Sequence, residues 1–431
     1  MRKVLILTYV FPPVGGAGVQ RTLKWTKYLP EFGWKPYLMT AKNPSVPLHD
    51  DSLAAEIPAD LPIRRTRTFE LPYKMKRSAF AKAEGKGSFS PLRSVKNLAQ
   101  RFLFPDPQIG WWPTTYLSAV QWIRSEKIDT LLVSAPPFST FLLGRKIAEK
   151  TGVPFFADFR DEWADFYTRA YDFHRRPGQM ERIERMERSV VESAASLIAA
   201  TDGIVANYRK KYSKLGEGNS FWIPNGYDEE DFEGTEPPSD DPKRFTLTYA
   251  GTVFEVTSAA PFLTGLKSLL ERRPDLRPLL RVRFVGRIVP GEMARFEDPT
   301  LAGVVERTEY VPHAEAVKIV RSSDALLLLL ADMPGSERIL TGKVFEYLAA
   351  RRPILAVVPP GEAQRLVEHL HAGTVVSPQN VASEIERMVE AWRAGRLTRP
   401  AGEITRFSRR ETTRALGQTL NRGLFRGAEF R

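Results

Sequence analysis

The sequence predicts two successive α/β domains, each an open parallel sheet with crossover helices, on three observations. Short apolar stretches alternate with helical segments twice along the chain. A proline- and acid-rich stretch at 224–244 interrupts the alternation, which then restarts. And 431 residues are too many for one ordinary domain but suit two of about 200.

In the first half the strands are "KVLILTYV", "KPYLMTA", "DTLLVSA", "VPFFADF", "ASLIAAT" and "SFWIPNG", with helices predicted at 17–29, 114–126, 138–150, 178–194 and 203–213. The N-terminal "MRKVLILTYVFPP" has a charge and a short apolar run, but it is brief, lacks a small-residue cleavage site and alternates; it reads as the first strand, not as a signal peptide. In the first helix Val19, Leu23 and Thr26 share one face and Gln20, Lys24 and Lys27 another. Beyond the linker the strands are "FTLTYAGT", "RVRFVGR", "VVERTEYV", "ALLLLLA", "PILAVV" and "GTVVSP". The expected boundaries are a first domain at 1–225, a linker at 226–244, a second domain at 245–406, and a last helical stretch at 407–431 that can return to the first domain. Open parallel sheets bind ligands at the carboxyl ends of their strands, so domains that face one another place the functional site in the cleft between them.

Composition narrows the function. With 42% hydrophobic and 26% charged residues the chain reads as soluble and globular. There is no cysteine, which removes disulfides and thiolate metal sites and fits a reducing cytoplasm. The five histidines show no metal-ligand spacing, and no metal or cofactor is expected. The longest apolar run, "ALLLLLA", is far short of the roughly 20 residues of a membrane span. Of the net charge of +12, most sits between Arg64 and Arg101, where eleven Lys/Arg face two acids. Apolar residues are interleaved there, and the stretch runs on into "RFLFPDPQIGWWP", ending at Trp111 and Trp112. Basic and aromatic residues together suit a nucleic-acid surface or an anionic membrane. No nucleic-acid-binding motif accompanies the 64–112 insertion, so the membrane reading is favoured over a plain solvated loop.

Three motifs carry chemistry. "YVFPPVGGAGVQR" leaves the first strand through two prolines and a glycine turn. Gly16 and Gly18 begin a G-x-G-x-x-G fingerprint, but Arg21 stands at its third glycine and no acid ends the second strand, so NAD binding is excluded, as is a Walker loop. Glycines ahead of a helix N-terminus still let backbone N–H groups meet an anion; the alternative is a turn that only needs positive φ. In "DFRDEW" alternation puts Asp158 and Arg160 on one side of the strand, with Asp161 beyond; the cluster is either an ion-paired loop or a polar group facing the cleft. In "GSERILTGKVFEYLAARRPILAV" Lys343 and Glu346 are three apart, off the stripe of Val344, Phe345 and Leu348. They suit a phosphate and a ribose, or merely an i,i+3 salt bridge.

In this order, "FPPVGGAG", "APPFST", "DFRDEW", "IPNGYD", "YAGT", "FVGR" and "TGKVFEYLAARRPILA" resemble a family 4 glycosyltransferase of the bacterial cell-surface polysaccharide branch, from about residue 3 to 395. The resemblance implies a GT-B fold, two Rossmann-like domains facing across a cleft. It also implies sugar transfer from a nucleotide-diphosphate sugar, with retention of configuration and without a metal ion. Gly15, Gly16 and Gly18 would lie beside the donor phosphates and the reacting sugar. Gly251 and Thr252 would approach the diphosphate. Gly286 and Arg287, with Val311 to His313, would flank the nucleoside, and Glu346 would hold the ribose as the second acid of an E-x7-E motif.

The chain departs from the pattern in three places. Arg338 stands where the first acid belongs, with Glu337 one residue earlier. The usual Arg and Lys after the second domain's first strand are missing, so Lys343, Arg287 or Arg338 must meet the diphosphate. Asp158 and Arg160 occupy the place of a common family histidine. The expected protein is a glycosyltransferase with catalytic Asp158, Arg160 and Lys343, using a UDP-linked donor and a glycan or lipid-linked acceptor, cytoplasmic and peripheral on the inner membrane face. The alternatives are a sugar-nucleotide epimerase or phosphorylase on the same fold, or a non-catalytic membrane-associated scaffold.

Overall fold

The computed structural model describes residues 1–70, 103–168, 178–235, 237–239 and 241–429. Residues 71–102, the greater part of the basic-aromatic insertion, lie outside the described residues. The chain divides into two compact units, one of Met1–Pro224 with Thr412–Arg431 and the other of Asn225–Glu411.

The first unit runs β1 (Arg2–Thr8), α1 (Ala17–Tyr28), β2 (Trp34–Ala41), β3 (Ile63–Thr66), α2 (Trp112–Glu126), β4 (Thr130–Ala135), α3 (Ser139–Thr151), β5 (Phe155–Phe159), α4 (Gln179–Ser193), β6 (Ser196–Ala199), α5 (Asp202–Lys211) and β7 (Ser220–Trp222). Its seven strands lie in the order β3-β2-β1-β4-β5-β6-β7, all parallel. Alternation in β1 fills both faces: Leu5 and Leu7 enter one apolar cluster, Val4 and Ile6 the other. Burial on both faces is the ordinary state of a parallel sheet flanked by helices.

Three sequence expectations change here. The polar residues Gln20 and Lys24 of α1 are buried, 6% and 2% exposed, and Lys24 Nζ meets Glu56 at 2.6 Å. The edge strand β3, "IRRT", went unforeseen because it lacks the apolar alternation that marks a strand. And Trp111 and Trp112 are not a free aromatic anchor. Trp111 is buried with its indole N–H on Thr66 Oγ1, and half-buried Trp112 donates its own to the Ser139 carbonyl.

The second unit runs β8 (Phe245–Ala250), α6 (Ala260–Arg272), β9 (Leu280–Val285), β10 (Val305–Thr308), α7 (His313–Ser322), β11 (Ala325–Leu329), α8 (Lys343–Ala349), β12 (Ile354–Val357), α9 (Glu362–His369), β13 (Gly373–Val375) and α10 (Val381–Arg393). The order β10-β9-β8-β11-β12-β13 repeats the pattern of the first sheet. In each, strand order reverses beside the unit's first strand, which opens a crevice at the carboxyl ends. The acid-rich stretch at 226–244 belongs to this unit: Tyr227 bridges Ser408, and Arg321 donates to the carbonyls of Glu233 and Gly234 at 3.2 Å.

The last helix, α11 (Arg409–Glu429), begins in the second unit and from Thr412 belongs to the first. Leu416 and Leu420, one turn apart, are fully buried among Val4, Ile6, Trp34 and Phe156.

Candidate active site

In the first unit the carboxyl end of β1 opens into the proline–glycine turn. The Gly15 amide donates to the Leu48 carbonyl at 3.1 Å, Val14 bridges His49, and Gly16 stands at the N-cap of α1 with φ 97°. That backbone suits glycine, and no side chain caps the helix. Behind the turn Arg160 ties the start of α1 to the end of β4: its guanidinium donates to the carbonyls of Gly18, Ala135 and Pro136. A Cβ on Gly18 would lie 3.1 Å from its Nη1.

Asp158 does not face solvent. It is fully buried on β5, where it pairs with Arg21 Nη2 at 2.8 Å and accepts from Ser134 Oγ at 2.7 Å. Arg21, equally buried, also donates to the Pro224 carbonyl at 2.9 Å and lies 4.6 Å over the Trp25 ring. The catalytic expectation for Asp158 is therefore corrected: its charge is neutralised inside the fold, out of a substrate's reach. Arg160 likewise spends its donors on the backbone, and burial lowers its pKa. Asp161, the next acid of the motif, is half-buried, and burial pushes its pKa up while Arg160 pulls it back. The sequence reading missed Arg21, seen there only as a missing glycine; an arginine amid the apolar positions of α1 was the available signal.

In the second unit the ends of β8 and β9 touch through glycines. Gly251 (φ 132°) and Gly286 (φ 126°) both need the freedom of glycine, and a Cβ on Gly286 would come within 2.5 Å of the Gly251 carbonyl oxygen. The amides continue the ladder, Gly251 to Val285 O at 2.8 Å and Gly286 to Thr308 O at 2.9 Å. Lys343, at the start of α8, does not pair with Glu346. Its ammonium turns to the end of β8, where a Cβ on Gly251 would be 2.9 Å from Nζ. There it donates to Tyr249 Oη and lies 3.7 Å over that ring's centroid. Burial drives the Lys343 pKa down to about 7, against a smaller upward pull from Glu346. Tyr249 Oη in turn donates a hydrogen bond to the Thr252 carbonyl at 2.7 Å.

Glu346, half-buried one turn along α8, has His313 Nδ1 at 4.0 Å, and His313 Nε2 reaches Asp231 at 3.2 Å. Val311 and half-buried Arg287 follow the ends of β10 and β9. Glu337 accepts from the Gly335 amide at 2.9 Å and pairs with Arg338. Just ahead of α8 the shielded Thr341 hydroxyl has no hydrogen-bond partner among the described residues. Tyr249, Asp231 and Thr341 were not anticipated. Tyr249 lies inside an apolar strand, so nothing in the sequence marks its hydroxyl.

Among the described residues no group of His, Asp or Glu is placed to hold a metal ion. No family model and no curated protein matches the sequence. Solved structures match the whole chain. The Anabaena protein HepE, determined with UDP and glucose, is 12% identical over 100% of this chain and 99% of its own, with a TM-score of 0.58. Sucrose-phosphate synthase from Thermosynechococcus elongatus is 14% identical over 100% and 98%, with a TM-score of 0.60. WaaG, a glycosyltransferase of lipopolysaccharide biosynthesis, is 14% identical over 96% and 95%, with a TM-score of 0.59. The chain has the GT-B fold. At these identities the likeness speaks for the fold alone.

Proposed function

We propose that the protein is a retaining glycosyltransferase that moves a sugar from a nucleotide-diphosphate donor, UDP-linked, to a glycan or lipid-linked acceptor in cell-surface polysaccharide synthesis. In this reading it works on the cytoplasmic face of the inner membrane, held there peripherally. One observation carries the donor assignment: a glycine pair with the ammonium of half-buried Lys343 beside it at the end of β8, and a carboxylate one turn along α8. A diphosphate approaches closely only where side chains are absent, as at Gly251 and Gly286. Lys343 takes the place of the absent Arg/Lys pair, and the Thr341 hydroxyl offers an idle donor. Glu346 accepts from two ribose hydroxyls, beside His313. The fold shared with HepE, whose structure holds UDP and glucose, is consistent with such a donor. Catalysis then rests on positioning and on stabilising the leaving diphosphate, rather than on a strong general base.

Glu346→Ala tests the assignment. Losing two charge-assisted hydrogen bonds costs about 2–4 kcal/mol, or roughly 30- to 1000-fold in kcat/KM, with the circular dichroism spectrum unchanged. Wild-type turnover by the variant would sink the reading. A thermal-shift screen across UDP-, GDP- and ADP-sugars identifies the base, since a bound donor raises the melting temperature by mass action.

A further inference from the structure

A cleft of about 360 Å3 opens between α2, α3 and α4 of the first unit. Trp112, Leu142 and Met186 make its apolar wall, and Arg145, Arg182, Arg185 and Ser189 complete the lining. Three cations ring this apolar cleft, with Arg182 and Arg185 exposed at its rim. Arg145 reaches Glu149, one turn on, at 3.3 Å, but its shielded Nε has no hydrogen-bond partner. Arg182 lies over the Phe104 ring at 4.2 Å. Among the described residues no carboxylate pairs with Arg182 or Arg185. The helices α3 and α4 both start from the carboxyl edge of the sheet, so the cleft lies beside the edge where a ligand of this unit would bind.

We infer that this cleft binds the phosphate end of a lipid, with the guanidinium groups on the phosphate and the first part of the chain against Trp112, Leu142 and Met186. Phosphate matches arginine's planar fork, and a hydrocarbon chain matches the wall. A free anion would leave that wall in water, and a neutral chain would leave the Arg145 Nε without a partner. The surroundings favour a lipid source. Of the four large apolar side chains most exposed in the described residues, Leu117 (62%) lies on α2, while Phe69 (68%) is hydrogen-bonded through its backbone to Gly110, two residues before Trp112. The inference rests on the glycosyltransferase reading only in taking this lipid for the acceptor's anchor; the binding site stands or falls by itself.

The test uses the full chain and three soluble probes: decyl phosphate below its micellar concentration, decanol, and inorganic phosphate. Calorimetry should show saturable binding of decyl phosphate, at least about tenfold tighter than either other probe. Arg145→Gln with Arg185→Gln should weaken it by at least about tenfold, and Arg145→Lys with Arg185→Lys should restore part of the affinity. Met186→Gln, neutral and of similar size, should weaken it from the apolar side. UDP-glucose binding should be the same in all variants, which separates this site from the donor site. Phosphate binding as tightly as decyl phosphate would reduce the cleft to an anion site. Decanol binding as tightly would remove the role of the arginines, and unchanged decyl phosphate affinity in the double glutamine variant would place the lipid elsewhere. Each of these results overturns the proposal.

Discussion

At the scale of the residue, Lys343 is a charged group held where charge is costly. Burial lowers its pKa from 10.5 to about 7, so the free protein loses this proton near neutrality. The unfolded chain keeps the proton up to its ordinary pKa, so between about pH 7 and about pH 10 the unfolded state binds more protons and folding stability rises with pH. Donor affinity runs the other way. A diphosphate needs the ammonium and holds its proton, so UDP-glucose affinity should fall by up to about tenfold per pH unit above about pH 7, while uridine affinity stays level. Lys343→Met should weaken UDP-glucose at pH 6, leave uridine unchanged, and flatten the pH profile. A parallel loss for uridine, or a wild-type profile flat from pH 6 to pH 9, would show that the ammonium does not meet the diphosphate.

At the scale of the element, Arg21 and Asp158 clamp α1 to the sheet. Asp158 on β5 accepts from Ser134 on β4, while Arg21 on α1 donates both to it and to the chain after β7 at Pro224. Removing one partner of a wholly buried pair leaves the other charge uncompensated, a loss of about 3–5 kcal/mol, whereas replacing both by apolar groups is often neutral. Asp158→Asn should therefore lower the denaturation midpoint sharply, and Arg21→Met with Asp158→Leu should recover most of the loss. Additive destabilisation in the double variant would disprove the clamp. The pair also shows what the sequence could tell. "DFRDEW" announced a costly cluster of charges, but the partner of Asp158 is 137 positions away, and no local spacing reports such a pairing. The same holds for the Lys343 ammonium. Its place on α8 was legible from the i,i+3 pattern, yet its turn toward Tyr249, 94 positions away, depends on the parallel packing of β8 beside β11 and the helix that follows. Glycines were more legible, because Gly16, Gly251 and Gly286 each follow an apolar strand where a turn or a close approach requires them.

At the scale of the whole molecule, the repeated alternation of apolar and helical segments made two parallel sheets legible. Strand order then follows the general preference of parallel strands for right-handed crossovers. What alternation cannot report is where a late helix docks. Residues 412–431 count with the first unit although 187 residues of the second intervene, and Leu416 and Leu420 are buried against β1 and β2. Such a return makes the first unit's stability depend on the chain's last turns, while Lys343, Glu346 and the glycine pair all lie in the second unit. Leu416→Ala and Leu420→Ala should each cost about 2–5 kcal/mol, less than additively together because they share one apolar cluster. The denaturation curve of the double variant should show an earlier transition, and UDP-glucose should still bind and stabilise the later one. An unchanged midpoint would mean that α11 is dispensable to the first unit's core. Loss of UDP-glucose binding in the same variant would show that the donor site draws on the first unit as well, and the assignment of the donor contacts to residues 249–346 would have to be widened.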